Sequence, residues 1–370
     1  MDTIEVMRDI LHHPQQLVTE AKSQGKKVIG YRCIYVPEEI IHAADMLPYP
    51  LFGTPEPITV ADSYLQSNVC EFIRNLFDLA LSGKMDFLDG LVLCNTCDAV
   101  RRFHYYWNTY IKTPQAYIIN NPQMMQAAAS SKYYSKEIEM FKGEMEKLAG
   151  AEINSERLHN AIELYNETRR LLRELFSLRK SNPPPISGSE ALDIAMASML
   201  MPKEKCNQLL PQLIQEVKDR KEMPQDGNPR ILLTGSIIDN PTLIQLVEES
   251  GGTVVAEDLC TSIKYFWHEV KENKDPLDAL CQHNMERCFC ACTHPPEARF
   301  DYLQELIHEF DIDGVIYFNL KYCDPFAYEA VLFRDKLQDL GIPTIVLEAE
   351  HNLSGMGQLK TRVQAFLEML

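Results

Sequence analysis

The stretches LDGLVLCNTCD (Leu88–Asp98) and IDGVIYFNLKYCD (Ile312–Asp324) decide the fold, because they repeat one order of features far apart in the chain. Each joins an Asp-Gly pair to a run of apolar residues and ends on Cys-Asp. A helical pattern and then a Pro-led apolar run follow each stretch, TPQAYIIN from Thr113 and IPTIVLE from Ile342. This ordered agreement indicates a duplicated unit.

Short apolar runs alternate with helical patterns on both sides of these stretches. The alternation runs from Lys26 to about Asn121 and returns from Arg230 to Leu370. Such alternation is typical of buried parallel strands that are joined by crossover helices. We therefore predict an α/β protein in which two doubly wound parallel-sheet domains face each other and a helical segment connects them.

The pattern also predicts where the domains begin and end. Residues 132–221 carry apolar residues at helical spacing and no strand-like run, although NPPPISGS (182–189) interrupts the helices. The turn residues of PQDGNP (224–229) mark a boundary. The predicted parts are an N-terminal amphipathic helix (1–24), a first α/β domain (25–131), a helical segment (132–227) and a second α/β domain (228–370).

Composition excludes several classes of function. Lys and Arg number 36 against 53 Asp and Glu, and this net charge of −17 argues against a nucleic-acid partner. No apolar run approaches the ~18 residues of a membrane helix, and an acid at the second residue is unlike a signal peptide. We expect a cytoplasmic protein without a membrane partner. Its 11 cysteines in 370 residues are too sparse for a disulfide scaffold, which leaves free thiols, metal ligands or both.

Two cysteines stand where functional groups collect in such folds. Cys97 and Cys323 each end a predicted strand and precede a helix, at the carboxyl edge of a parallel sheet. Asp98 and Asp324 follow directly as predicted N-caps, with Pro325 at the first helical position. The helix dipole favours a thiolate there, and two facing domains would bring both thiols to one cleft. The alternative interpretation is a pair of buried cysteines that pack at strand ends.

A third cysteine, Cys70, opens the helical pattern CEFIRNLFDLAL. Three thiolates that converge from helix ends can bind zinc or a four-iron–four-sulfur cluster. Structural zinc usually takes paired C-x-x-C knuckles, and only Cys94 and Cys97 offer that spacing. The sequence contains neither a G-x-x-x-x-G-K-[ST] phosphate loop nor a G-x-G-x-x-G fingerprint after a leading strand.

The remaining cysteines leave open a second site. In RCFCACTHPP, Cys288, Cys290 and Cys292 would share one face of a strand, either as ligands or as packed side chains. Cys33 lies at the end of the first predicted strand and is an alternative ligand. Glu38 and Glu39 lie just beyond that strand, either as proton-handling groups or as an ordinary acidic helix start.

These residues closely resemble one known family. VPEEIIHAADMLP, the isolated Cys70 before a helix, DGLVLCNTCD, DGVIYFNLKYCDP and the ending GQLKTRVQAFLEML are similar to the component D family of 2-hydroxyacyl-CoA dehydratases. That family includes the active-site subunits of benzoyl-CoA reductase. The resemblance implies two flavodoxin-like domains with a helical insertion. It also implies a [4Fe–4S] cluster on Cys70, Cys97 and Cys323.

The resemblance further implies a radical lyase reaction and a set of partners. In these dehydratases a separate ATP-hydrolysing iron–sulfur activator injects one low-potential electron. Reduction of the (R)-2-hydroxyacyl-CoA thioester gives a ketyl radical, from which the neighbouring hydroxyl leaves. We therefore expect an acyl-CoA substrate, such an activator, and a homologous second subunit or a second copy of the chain. A non-catalytic partner subunit of such a pair would carry the same ligand positions.

Two other interpretations remain. The chain could be a benzoyl-CoA-reductase-like or double-cubane reductase subunit, with an [8Fe–9S] cluster that Cys33, Cys260 and Cys290 or Cys292 would join to the main three cysteines. Members of that type tend to carry a cysteine where this chain has Ser236. An interpretation from another class is a non-catalytic ligand-binding module with structural cysteines.

Overall fold

The computed structural model describes residues 2–111, 114–220, 227–271, 275–287, 290–353 and 355–370. The strands within these ranges are β1 (Val28–Arg32), β2 (Leu47–Pro50), β3 (Gly90–Cys94), β4 (Ala116–Ile119), β5 (Arg230–Gly235), β6 (Thr253–Asp258), β7 (Gly314–Leu320) and β8 (Thr344–Ala349). The helices are α1 (Thr3–His12), α2 (Gln15–Ser23), α3 (Glu38–Ala43), α4 (Glu71–Leu81), α5 (Asp98–Tyr110), α6 (Ala128–Ala149), α7 (Ser155–Ser177), α8 (Gly188–Leu200), α9 (Lys203–Lys218), α10 (Thr242–Glu249), α11 (Ile263–Phe266), α12 (Pro276–Glu286), α13 (Pro296–Glu309), α14 (Asp324–Asp339) and α15 (Met356–Leu367). None of these helices is long and apolar enough to cross a lipid bilayer.

The strands form two four-stranded sheets with the same topology. The first has the order β2-β1-β3-β4 and the second β6-β5-β7-β8, and every neighbouring pair is parallel. In each sheet the leading strand lies beside both its second and its third strand, so the strand order reverses there. The predicted α/β fold with two doubly wound, flavodoxin-like parallel sheets is confirmed.

The repeated Asp-Gly has the same structural role in both sheets. The Val28 N–H donates to Asp89 Oδ2 at 2.8 Å, and the Arg230 N–H donates to Asp313 Oδ2 at 2.7 Å. Each aspartate also donates its own N–H to the carbonyl of the same partner, at 2.8 and 2.9 Å. The side chain therefore pairs the first N–H of each leading strand, which has no earlier ladder partner. This explains why the motif occurs in both halves.

The chain before β1 differs from its prediction. The single helix predicted over 1–24 is two helices, because Pro14 is the N-cap of α2 and separates it from α1. A proline removes a backbone donor and so interrupts a continuous helix. Arg8 Nε donates to Asp193 Oδ2 at 2.9 Å and ties α1 to α8.

The segment between the sheets consists of α6 to α9, as the helical spacing predicted. Asn154 caps α7 by accepting from the Arg157 N–H at 2.9 Å. Ser187 and Glu190 form a capping box at the start of α8, directly after the prolines of 183–185. The predicted boundary at PQDGNP lies partly outside the described residues.

Both sheets are covered on both faces. Every residue of β3 and β7 is buried, as in sheets whose crossover helices lie on either side. Val92 and Tyr317 belong to one hydrophobic core, and Leu93 and Phe318 belong to the other. We call the sheet of β1–β4 with its helices the first half, and the sheet of β5–β8 with its helices the second half. Because each core contains residues of both sheets, the two halves pack against each other, and the carboxyl ends of β3 and β7 lie near their junction.

Candidate functional site

Three cysteines cap three helices. Cys70 is the N-cap of α4, Cys97 of α5 and Cys323 of α14. Cys97 follows the end of β3 by three residues, and Cys323 follows the end of β7 by three residues. The duplicated unit thus places two equivalent thiols, and Cys70 adds a third from the helix between β2 and β3.

The predicted caps are therefore wrong by one residue. Asp98 and Asp324 are the first residues of α5 and α14 rather than their caps, and Pro325 is the second residue of α14. Asp98 instead accepts from Arg102 Nε at 2.7 Å. The cysteine side chains are left to face the first turn of each helix.

The structure brings Cys70, Cys97 and Cys323 into one pocket of about 460 Å³. Cys97 comes from the first α/β half and Cys323 from the second, so the pocket lies at the junction of the halves. Cys292 lines the same pocket from the turn that follows α12. The exposed ring of Tyr328 stands at its rim.

Burial dominates the acid–base behaviour of these thiols. Burial raises the pKa of Cys70 and Cys323, and raises that of Cys97 to about 12. Neighbouring thiols raise the pKa of Cys97 and Cys323 further, while backbone N–H groups of the first helical turns oppose the rise. The predicted stabilisation of thiolates by the helix ends is thus present but smaller than the desolvation cost. Without a bound cation the thiols stay protonated at neutral pH.

The three capping side chains offer thiols as a donor set. Among the described residues, no group of three or more His, Cys, Asp or Glu side chains surrounds one point closely enough to hold a metal ion. A cubane carries its iron atoms at separate corners, so its thiolate ligands stand further apart than those around one ion. Three thiols that share one pocket are ligands of the type that an iron–sulfur cluster takes.

A second group of thiols lies beside the first. Cys94 donates a hydrogen bond to the Cys33 sulfur, which lowers the pKa of Cys33 and raises that of Cys94 beyond the effect of burial. Cys290 interacts electrostatically with both Cys33 and Cys260. A hydrogen bond from Cys292 lowers the pKa of Cys290 to about 7. These five cysteines, Cys33, Cys94, Cys260, Cys290 and Cys292, are called the inner thiol group below.

The predicted strand in RCFCACTHPP is wrong for its described part. Cys290 and Cys292 lie in a tight turn that precedes Pro295 and α13. The alternation of cysteines imitates a strand, but the prolines that follow favour a turn. Cys288 lies outside the described residues.

Glu38 and Glu39 are buried, but neither lines the cysteine pocket. Glu39 accepts from Arg169 Nη2 at 2.5 Å. Glu38 Oε2 accepts from the Tyr265 hydroxyl at 3.3 Å and lies 3.9 Å from Lys203 Nζ. Burial raises the pKa of Glu38, and the Lys203 ammonium only partly offsets this. Burial thus favours the protonated form of Glu38.

A clamp across the two halves was missed from sequence. His351 Nε2 and Asp239 Oδ1, both in the second half, lie 2.6 Å apart, and Asp239 accepts from the Gly53 N–H of the first half at 2.6 Å. Glu71, which follows Cys70 directly, accepts from the His351 N–H and from Asn352 Nδ2, the latter at 2.9 Å. The clamp therefore holds the Cys70 end of α4 against the second half. Its one sequence signal is the acid beside Cys70.

Comparisons with known proteins agree with this architecture. The family described as 2-hydroxyglutaryl-CoA dehydratase, D-component, matches residues 33–370. The chain is 26% identical to the (R)-phenyllactyl-CoA dehydratase beta subunit of Clostridium sporogenes, over 98% of this chain and 97% of that one. It is 27% identical to a benzoyl-CoA reductase subunit of Thauera aromatica, over 94% and 91%. It is 31% identical to the YjiM protein of Escherichia coli (strain K12), over 95% and 94%.

The family match covers far more than half of the chain. It confirms the resemblance that the motifs around Cys70, Cys97 and Cys323 indicated. The chain belongs to the 2-hydroxyglutaryl-CoA dehydratase D-component family.

Proposed function

We propose that this chain is the iron–sulfur subunit of a radical (R)-2-hydroxyacyl-CoA dehydratase. The observation that carries the proposal is the convergence of three helix-capping cysteines, Cys70, Cys97 and Cys323, on one pocket in a chain of this family. The name of the Clostridium sporogenes relative, an (R)-phenyllactyl-CoA dehydratase subunit, supports the substrate class. The proposed reaction is the loss of water from a 2-hydroxyacyl-CoA to give the 2-enoyl-CoA.

The three thiols would hold a [4Fe–4S] cluster. Such a cluster, with three protein ligands, supplies a low-potential electron and one iron that can act as a Lewis acid. The helix ends behind Cys70, Cys97 and Cys323 place backbone N–H groups near the thiolates and offset their negative charge. The same pocket offers space for the reacting end of a thioester.

The chemistry explains why an electron is needed. The 3-hydrogen of a 2-hydroxyacyl thioester is too weak an acid to be removed directly. One electron added to the thioester carbonyl gives a ketyl radical anion, hydroxide leaves from the neighbouring carbon, and the 3-proton then becomes acidic. The electron is returned at the end, so water is lost without net oxidation or reduction.

Proton handling is assigned to the acids after β1. Glu38 and Glu39 keep this predicted role, and Glu38 is the better candidate because Arg169 neutralises Glu39. Neither carboxylate lines the pocket, so either would act through intervening groups. Glu38→Gln tests this role. If Glu38 handles the proton, the variant should lose turnover but keep its iron.

Other proteins complete the proposed system. The sequence carries no G-x-x-x-x-G-K-[ST] loop, and we assign ATP hydrolysis to a separate iron–sulfur activator. The Clostridium sporogenes and Thauera aromatica relatives are both named as subunits, which implies partner subunits in their enzymes. We therefore expect a homologous second subunit or a second copy of this chain, in the cytoplasm.

The inner thiol group favours a second candidate, a benzoyl-CoA-reductase-like or double-cubane reductase subunit. Cys290 interacts electrostatically with the capping cysteine Cys97 as well as with Cys33 and Cys260, which links the two groups of thiols. An [8Fe–9S] cluster would use these additional ligands. Iron analysis separates the candidates, since about four iron atoms per chain support the dehydratase and about eight support the double cubane.

The first experiment is strictly anaerobic purification followed by iron and acid-labile sulfide analysis. We expect a coloured protein that loses its visible absorption in air, as a partly exposed cluster does. Colourless, iron-free protein that cannot be reconstituted would contradict the proposal and favour a non-catalytic binding module. Incubation with the activator, ATP and a panel of CoA thioesters then identifies the substrate by enoyl-CoA formation. Cys206→Ser serves as the matched control, because Cys206 is buried beside Lys203 and belongs neither to the capping cysteines nor to the inner thiol group.

A further inference from the structure

A fully buried lysine lies beside the inner thiol group with its donors unused. Lys264 in α11 has 0% exposure, and among the described residues nothing accepts a hydrogen bond from its Nζ. Its nearest carboxylate oxygen, Asp258 Oδ2, lies 3.4 Å away. An ammonium carries three donors, and burying it without acceptors costs several kcal/mol. The part of the chain that the structure describes supplies an ion-pair partner for this ammonium but no hydrogen-bond acceptor.

Asp258 accounts for the charge of Lys264 but not for its unused donors. The same oxygen, Asp258 Oδ2, accepts from Thr234 Oγ1 at 2.5 Å and lies 3.1 Å from Arg299 Nη2. Arg299 also donates from Nε to Glu329 Oε1 at 2.6 Å, so one guanidinium is shared by two buried carboxylates. Asp258, Glu329, Arg299 and Lys264 thus form a group of two carboxylates and two cations, in which the Lys264 Nζ still has no hydrogen-bond acceptor among the described residues.

The surroundings of Lys264 indicate what the charge serves. After burial, the positive charge of Lys264 has the largest effect on the pKa of Cys260, which it lowers. It also lowers the pKa of Cys290. Its Nζ lies 5.4 Å from the ring centre of Phe326, in the first turn of the helix that Cys323 caps. The ammonium thus lies near Cys260 and Cys290 and near the first turn of the helix that Cys323 caps.

A second cation comes from the first half of the chain. Arg32 ends β1, its guanidinium lies 4.7 Å from the ring centre of Phe72, and its buried Nε has no hydrogen-bond partner among the described residues. Its positive charge lowers the pKa of Cys33, Cys70 and Cys97. It therefore acts on the inner thiol group and on the capping cysteines. Each half of the molecule therefore contributes one cation with an unused buried donor.

We propose that Lys264 and Arg32 donate hydrogen bonds to the inorganic core of the bound cluster and raise its reduction potential. The proposal rests on the proposed function, since thiolates and sulfides are the anionic acceptors that it would place among these residues. A positive charge beside a cluster favours the reduced form, because reduction adds negative charge. Both residues are positioning residues: they act on the cluster rather than on the substrate.

The test compares two buried lysines. Lys264→Met removes the unused donor, and Lys203→Met removes a lysine of 2% exposure whose Nζ donates to the carbonyl oxygens of Ser198 and Met199, at 2.6 and 3.2 Å. We expect Lys264→Met to lower the equilibrium constant for one-electron reduction of the cluster about tenfold, which is ~59 mV in an EPR-monitored titration. Lys203→Met should leave the potential at the wild-type value. Lys264→Arg should restore most of the shift, and Arg32→Met should shift the potential in the same direction as Lys264→Met.

Iron-free protein provides the second readout. Because Lys264→Met leaves Asp258 and Glu329 to share Arg299, the iron-free variant should unfold at a lower urea concentration than the wild type, and Lys264→Arg should restore the midpoint. If Lys264→Met fails to fold, Arg32→Met decides, and an iron-loaded Arg32→Met protein with the wild-type potential would overturn the proposal. An iron-loaded Lys264→Met protein with the wild-type potential would overturn it while leaving the proposed function intact, as expected if the ammonium meets only a buried water. A wild-type chain that takes up no iron would contradict both.

Discussion

The two α/β halves share a topology but differ at the end of the leading strand. In the second half β5 pairs with β7 as far as Gly235 and Phe318, and the Ser236 N–H donates to the Phe318 carbonyl at 2.8 Å. In the first half the pairing of β1 with β3 ends one residue earlier in the shared register, at Arg32 and Leu93. The first leading strand therefore leaves its sheet sooner.

Cys33 aligns with Gly235 when the two sheets are compared in register, and the φ angle is positive at both residues. Cys33 has φ 110° and Gly235 has φ 119°. A Cβ on Gly235 would lie 2.0 Å from the Phe318 carbonyl oxygen, so only glycine fits there. The first half has instead a cysteine in a conformation that costs a side chain about 1–3 kcal/mol. We therefore propose that this strained cysteine serves the proposed cluster and not the fold.

The largest expected effect tests the equivalence of the halves at the capping cysteines. Cys97→Ser and Cys323→Ser should each remove most of the iron and all measurable turnover, because each takes one of three ligands from the proposed cluster. Far-UV circular dichroism should be unchanged, since both residues follow strands that stay fully paired. Unequal iron retention in the two variants would contradict the symmetric assignment. Cys206→Ser is the control that should keep iron and turnover.

The next effect breaks the contact between the halves. Burial alone lowers the pKa of His351, but the Asp239 carboxylate outweighs burial and raises the pKa above 6.5. The stability that this pair contributes is therefore fully present below pH 6.5 and is lost as pH rises through the raised folded pKa. His351→Asn should cost about 3–5 kcal/mol at pH 6 and less at pH 9, because it leaves Asp239 without its charged partner.

Urea unfolding at both pH values measures this prediction. Hydrogen exchange at the start of α4 should increase in the variant. Without the ion pair to Asp239, the loop at 351–352 is less firmly held, and Glu71 loses stable hydrogen bonds to it. A stability difference that is the same at pH 6 and pH 9 would contradict the charged pair. Lys180→Met, which removes a solvent-accessible ion pair with Glu309 in another part of the molecule, is the control and should change stability by no more than about 1 kcal/mol.

Gly235→Ala sharpens the comparison of the leading strands. The new Cβ would meet a backbone carbonyl oxygen in a disfavoured conformation, and we expect a loss of roughly 2–4 kcal/mol in the free energy of unfolding. Gly143→Ala is a suitable control, because a Cβ there meets nothing within 4 Å and φ is in the ordinary range. Equal urea midpoints for the two variants would show that the Phe318 carbonyl does not exclude a side chain.

Cys33→Gly should have the smallest effect and the opposite sign. Glycine relieves the positive φ, so the iron-free protein should gain about 1 kcal/mol in the free energy of unfolding. If Cys33 is a ligand, the iron-loaded variant should contain less iron than the wild type despite this gain. A variant with higher stability and full iron content would remove Cys33 from the ligand set and count against the double cubane.

The sequence predicted the fold well because the repeated features are local. The Asp-Gly pair, the apolar run and the following helix are each decided within a few residues, and the repeat of Leu88–Asp98 in Ile312–Asp324 made the duplication visible. The single helix predicted over 1–24 was wrong, although Pro14 within it is itself a local signal for a break. The errors arose where two local signals compete, as in the Cys290–Cys292 turn that alternates like a strand.

The site was predicted only in part for a different reason. Cys70, Cys97 and Cys323 could be singled out because each precedes a helix, but aspartate is the commoner cap, and its presence next to Cys97 and Cys323 shifted the predicted caps by one residue. The clamp of Glu71 with His351 and the position of Lys264 depend on how the halves pack. The spacing of residues along the chain does not predict such contacts between distant residues.

Iron K-edge X-ray absorption on the anaerobically reconstituted wild-type chain tests the central claim most directly. We predict iron surrounded by sulfur with a further shell of iron neighbours, and loss of that shell in a chain with serine at positions 70, 97 and 323. Isolated iron with no iron neighbour, or an iron shell that survives the triple substitution, would contradict the assignment of these three cysteines to one cluster.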